Sequence, residues 1–160
     1  MSQPSTVLLI GYGNPLRGDD GLGHRVIDAL GEVLGPNTPV KMLKMLQLDV
    51  VLAGQLADQK LIVFVDAAAN HAAAAPVSVV PLSVDPMPAL SLASHALTPT
   101  ALVALTHWLY GRSPRAALVA ITGHDFSFGS TLSAAAEALI PEAVRAILAI
   151  LAEFDPALIT

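Results

Sequence analysis

Leu9-Ile10-Gly11-Tyr12-Gly13-Asn14-Pro15-Leu16-Arg17-Gly18-Asp19-Asp20-Gly21-Leu22-Gly23 carries an apolar run straight into a glycine-rich turn and then into helical periodicity. Glycines at 11, 13, 18, 21 and 23 let the backbone turn sharply and come close to another chain or an ion. Asp19 and Asp20 fall near the start of the following helix, where negative charge is favoured. A carboxylate held at a strand-to-helix junction can act chemically, so this stretch bears on function as well as fold.

Upstream, residues 6–11 (TVLLIG) form a compact apolar run that predicts a buried first strand. Downstream, Leu22, Val26, Ile27, Leu30 and Val33 recur at helical spacing, and Gly35-Pro36-Asn37 closes the helix. The alternation continues. Residues 40–46 read as a strand, 49–59 as a helix, and 60–65 (KLIVFV) as the strongest strand, ending on Asp66. Residues 76–84 are strand-like, but Pro81 suits an edge or a bulge better than a central position. Beyond the loop Asp85-Pro86-Met87-Pro88, Thr98-Pro99 supplies an N-cap and first-turn pair for a helix through Tyr110. Residues 116–122 predict another buried strand. Ser130 or Thr131 is placed to cap a last helical region reaching Phe154, with a break near Pro141. Alternating strands and helices with no linker or fixed-period repeat predict one α/β domain over 1–160 around a mostly parallel sheet.

Composition excludes several classes. The chain is 54% apolar and 13% charged, which raises the question of a membrane. However, residues 61–80 are interrupted by Asp66, Asn70, His71 and Pro76, and residues 143–154 carry Arg145 and Glu153. A spanning helix needs about 20 apolar residues with few or no charges. Apolarity of this kind fits buried parallel strands and Ala/Leu-rich helices. Met1-Ser2-Gln3-Pro4-Ser5 places no basic region before the apolar run, so no secretory signal is expected. The net charge of −5 with scattered Lys and Arg argues against nucleic acid. No cysteine is present, so any metal must be held by His and carboxylates, and the cytoplasm is the expected compartment.

In open parallel sheets, ligands bind outside the carboxyl ends of the strands. The polar residues predicted there are Asp20, Gln47, Asp66, His95, and His124 with Asp125. Asp20 taken alone is ordinarily a helix cap, and an arrangement with Asp19 capping and Asp20 reaching into the cleft satisfies both roles. Asp66 is more telling, because ending an apolar strand on a carboxylate costs desolvation unless a partner waits there. A lone His is more often structural than a ligand, which weighs on His95. His24 is expected to be solvated and His107 to be packed or on the surface. His71 has no assigned role. Together Asp20, Asp66 and His95 offer two oxygens and one nitrogen from three loops. That set suits a divalent ion such as nickel, zinc or manganese, and it equally suits a metal-free acid/base cluster.

These residues resemble the hydrogenase maturation proteases, which trim the C-terminus of nickel–iron hydrogenase large subunits. The matching pattern is Gly11-x-Gly13-Asn14-x-Leu16-x-x-Asp19-Asp20-Gly21-x-Gly23 after a first strand. It is followed in order by the strand 61–65 ending in Asp66-Ala67, by Ser94-His95 ahead of Thr98, and by Gly129-x-x-Leu132-Ser133. Gln47-Leu48 matches a Gln-Leu that many members carry after the second strand. The resemblance implies a three-layer α/β/α sandwich, with Asp20, Asp66 and His95 as a metal-contacting catalytic triad. The position of Asp20 is Glu in some members. A glycine-rich segment found in others after the second strand is absent here, where Met45-Leu46-Gln47-Leu48 stands.

The resemblance further implies an endopeptidase of aspartyl type. Its partner would be the large-subunit precursor, cleaved after nickel insertion, with nickel contributed by that precursor and no organic cofactor. An incomplete ligand set can complete the coordination of an ion held mainly by the partner's cysteines, so that cleavage waits for metal insertion. Two rivals remain at this stage. One is a nucleotide-binding module, weakened because Leu16 stands where the fingerprint wants a third glycine. The other is a chaperone that holds the precursor without cutting it.

Overall fold

The computed structural model describes residues 6–69, 75–84 and 97–160. The order of elements is β1 (Val7–Tyr12), α1 (Leu22–Leu34), β2 (Lys41–Met45), α2 (Leu52–Ala57), β3 (Leu61–Ala69), β4 (Val77–Leu82), α3 (Pro99–Tyr110), β5 (Arg115–Gly123), α4 (Ala134–Glu137) and α5 (Ile140–Phe154). A 3-10 turn over Gly18–Gly21 leads into α1, and another over Pro156–Ile159 follows α5.

The strands form one five-stranded sheet in the order β2-β1-β3-β5-β4. All neighbours are parallel except β4, which runs antiparallel along the β5 edge. Pro81 lies in that edge strand opposite Ala117, where a missing N–H costs no central ladder bond. The chain steps from β1 out to β2 and then back across β1 to β3. The crossover helices therefore lie on opposite faces, and the order reverses between β1 and β3.

Alternation along the strands divides the core into two layers. Val7, Leu9, Leu61, Val63 and Val65 pack with Val26, Leu30, Ile147 and Leu151 of α1 and α5. Leu8, Ile10, Ile62 and Phe64 pack with Leu52, Leu56, Leu102 and Val103 of α2 and α3. The result is the expected α/β/α sandwich. Its central strands are apolar on both faces, as a parallel sheet covered by helices requires.

Several expectations shift in detail. The α2 helix is shorter than the 49–59 pattern, because Asp49 accepts from the Val51 N–H at 3.0 Å and turns the chain before the helix begins. The last helical region does divide near Pro141, which sits in the first turn of α5. Its cap is neither Ser130 nor Thr131. Ser133 accepts from the Ala136 N–H at 3.2 Å. Thr98 caps α3 as expected, accepting from the Ala101 N–H at 3.1 Å. Among the described residues, no helix is long and apolar enough to cross a membrane.

Candidate functional site

The β1–α1 turn is shaped by contacts that only glycine permits. Gly13 has φ +137°, and a Cβ there would lie 2.1 Å from the Asp20 carbonyl oxygen. A Cβ on Gly23 would lie 2.6 Å from the Val65 carbonyl oxygen, so α1 packs directly over the end of β3. Residues 13–20 therefore fold back on themselves at the carboxyl end of β1, beside the point where the strand order reverses. Openings of this kind are where such sheets place their ligands.

The two adjacent aspartates part company here. Asp19 is fully buried. Its carboxylate accepts from the N–H groups of His124 (2.8 Å), Asp125 (3.0 Å) and Ser133 (2.7 Å), and from the Ser133 hydroxyl (2.7 Å). Burial alone would raise its pKa, but these donors outweigh burial and hold it below the ordinary carboxylate value. Asp19 thus makes no cap of its own helix, contrary to the sequence reading; neither the 3-10 turn nor α1 has a side-chain cap. It fastens the loop that follows β5. Backbone bonds reinforce the fastening: Gly18 N–H to Gly129 O at 2.8 Å, Gly129 N–H to Leu16 O at 2.7 Å, and Asp19 N–H to Asp125 O at 2.8 Å.

Asp20 is half-buried, and its Oδ2 accepts from the Asn14 N–H at 2.6 Å. Asp66 lies within β3, not at its end as the sequence suggested, with Ala120 of β5 beside it. The β1 pairing stops at Gly11 with Val65, so Asp66 is the first β3 residue with a neighbouring ladder on one side only. Its Oδ1 accepts from the Ala67 N–H at 2.8 Å, and its carboxylate also accepts from the Tyr12 hydroxyl. Burial, aided by the negative charge of Asp20, pushes the Asp66 carboxyl up to about 6, against the lowering effect of those two bonds. Tyr12 in turn is held well above the ordinary phenol value, first by burial and then by Asp66 and Asp20. The structure therefore brings Asp20, Asp66 and Tyr12 into one electrostatic unit at the switch point.

His95 lies outside the described residues, as do Ser94, His71 and the 85–88 loop. Among the described residues, no group of three or more His, Asp or Glu side chains gathers as a metal site. The donor chemistry nonetheless fits a cation. Two carboxylates close enough that the charge of Asp20 raises the pKa of Asp66, with few hydrogen-bond donors among the described residues, are relieved by positive charge between them. The same feature disfavours a phosphate. Asp20 already occupies the Asn14 N–H that a nucleotide would need, and its charge repels an anion.

Other expected residues have different roles. His24 is half-buried rather than fully solvated; its Nε2 donates to the Met45 carbonyl at 2.8 Å, tying α1 to the end of β2. Gln47 lines an open groove of about 590 Å³ with Asn14, Lys44, Met45, Leu46 and Asp49, adjoining the Asp20 turn. His124 and Asp125 are exposed, and Asp125 is held low chiefly by the Ser127 hydroxyl and N–H. His107 is on the surface, with its Nδ1 at 2.6 Å from the Ser113 hydroxyl. Tyr12 was not among the sequence candidates. Strand alternation puts it on the face of Leu8 and Ile10, and only the register shows that Asp66 shares that face.

No protein-family model matches the chain, and no curated protein matches it. Solved structures do. The hydrogenase maturating endopeptidase HybD from E. coli superposes with a TM-score of 0.75 at 23% identity, covering 93% of each chain. The solution structure of an endopeptidase from Escherichia coli gives 0.74 at 24% identity, again over 93% of each chain. The [NiFe] hydrogenase maturation protease HycI from Thermococcus kodakarensis gives 0.65 at 22% identity, over 93% of this chain and 91% of that one. The chain therefore shares the three-layer fold of these proteases over nearly its whole length.

Proposed function

We propose that the chain is an endopeptidase that removes the C-terminal extension of a nickel–iron hydrogenase large-subunit precursor once nickel has been inserted. The observation that carries this reading is the Asp20–Asp66 pair, close enough that the Asp20 charge raises the Asp66 pKa, at the switch point of a fold shared with hydrogenase maturation endopeptidases. His95, which precedes α3 in the sequence, is the third member of the proposed set. The nickel belongs to the substrate. Asp20 and Asp66, with His95, complete the coordination of an ion already seated in the precursor, and the neighbouring peptide bond is presented to water at the same crevice.

The carboxylates have distinct parts in this scheme. Asp66, whose pKa burial and Asp20 raise to about 6 in the cation-free protein, meets the ion through one oxygen and takes a proton from water with the other. Asp20, with its Oδ2 held by the Asn14 N–H at 2.6 Å, is the second oxygen donor toward the cation. Hydrolysis by a carboxylate that activates water makes the reaction of aspartyl type. The cytoplasm is the proposed compartment.

The test is incubation of the purified protein with nickel-loaded and nickel-free precursor, with subunit mass as the readout. Shortening of the loaded form alone is expected. Stable binding without shortening identifies a holding chaperone and overturns the endopeptidase reading.

A further inference from the structure

Tyr12 stands one residue beyond the last β1 partner of β3, which is Gly11 paired with Val65. In a parallel ladder, successive residues stay in step, so Tyr12 lies laterally beside Asp66. Period-two alternation then decides the faces. Leu8 and Ile10 of β1 and Ile62 and Phe64 of β3 all point into the layer under α2 and α3. Tyr12 and Asp66 continue those two rows. The Tyr12 ring packs against the same layer, which anchors its body, while its hydroxyl reaches the Asp66 carboxylate. The Ala67 N–H takes Oδ1 of that carboxylate at 2.8 Å. An ionised carboxylate has about four acceptor positions. With two engaged by donors fixed in the sheet, the side chain is held in orientation at the carboxyl edge of the sheet, within reach of the Asp20 charge.

We propose that Tyr12 is a positioning residue: its hydroxyl holds the Asp66 carboxylate aimed at Asp20, so that the two present their free oxygens to one divalent cation. The role is that of an outer partner that orients a ligand, a function whose loss typically weakens metal affinity or activity by about 10–100-fold. Its catalytic consequence rests on the endopeptidase reading, whereas its effect on cation binding does not.

The experiment compares the wild-type protein with Tyr12→Phe, which keeps the ring and its packing and removes only the hydroxyl. Ni2+ alone is titrated into each by isothermal calorimetry, with thermal melting recorded in parallel. Nickel-loaded precursor is then cleaved under steady-state conditions. Tyr12→Phe is expected to bind Ni2+ about 10-fold more weakly and to lose about 10-fold in kcat with KM changed less than about twofold, while melting within a few degrees of wild type. A packing role alone would move the melting temperature and leave the Ni2+ affinity in place. Equal Ni2+ affinities, including undetectable binding by both proteins, overturn the proposal. If neither protein cuts the precursor but the Ni2+ affinities differ as expected, the endopeptidase reading falls and the positioning role stands.

Discussion

Asp19 and Asp20 are neighbours in the chain and opposites in the structure. Asp19 is sealed in, saturated by four donors from the loop after β5, and its pKa is driven down. Asp20 is half-buried, with the Asn14 N–H on its Oδ2, and its charge helps burial drive the pKa of Asp66 up. One carboxylate serves the architecture of the sheet edge, and the other serves the crevice. The contrast shows that an acidic pair at a helix start is not one signal. The number of donors that each oxygen meets decides whether a carboxylate is spent on holding the fold or left free to act.

Removing the saturated member should give the largest effect. Asp19→Ala leaves three N–H groups and a hydroxyl facing an empty pocket, and is expected to cost about 3–5 kcal/mol in chemical denaturation. Its pH signature follows from the sign of its shift. A depressed native pKa contributes stability that is present above the unfolded value of 3.8 and is lost as pH falls below it. Stability curves of Asp19→Asn should therefore lack part of the acid loss seen in wild type. An unchanged acid limb would break the contrast.

The free members should behave in the reverse manner. Asp20→Ala and Asp66→Ala are expected to lower kcat/KM for the nickel-loaded precursor by at least about 100-fold, with little loss of folding stability. Full activity in either variant would remove that carboxylate from the proposed mechanism. Asp66→Asn sharpens the comparison further. The native pKa of about 6 lies above the unfolded value of 3.8, so the group favours folding fully below pH 3.8 and loses that contribution as pH rises through 6. Above pH 6 the fold carries an unwelcome charge. Asp66→Asn should then be more stable than wild type by about 2–3 kcal/mol at pH 8, with the gain vanishing near pH 4. Denaturant melts at the two pH values check this. The smallest effect is expected from Ser133→Ala, which removes the cap of α4 and one bond to Asp19, at about 1 kcal/mol.

Much of the sheet edge was legible in the residues. The glycine spacing of residues 11–23 predicted the turn, the apolar runs predicted β1, β3 and β5, and Pro81 predicted an edge strand. Asp20 and Asp66 stood out because a carboxylate beside an apolar strand needs a reason to be there. Asp19 was misread as a local cap, since its partners lie 105 to 114 residues later in the chain and no local pattern reports them. His24 was misread for the same reason, because its acceptor is a backbone carbonyl on β2 that carries no residue-type signal. Asp66 was placed at a strand end because hydrophobicity stops there, whereas pairing with β5 carries the strand on to Ala69.

By itself, the sequence determined which segments are strands and helices and which side chains bring charge to the carboxyl edge, because those follow from periodicity, glycine freedom and the cost of burying a carboxylate. The tertiary structure alone decided that Asp19 locks the loop after β5, that Asp66 sits beside Tyr12, and that the Asp20 charge reaches both of them. Those outcomes depend on strand order and register. Both are set by the packing of two core layers summed over the whole sheet, and no short stretch of residues contains that sum.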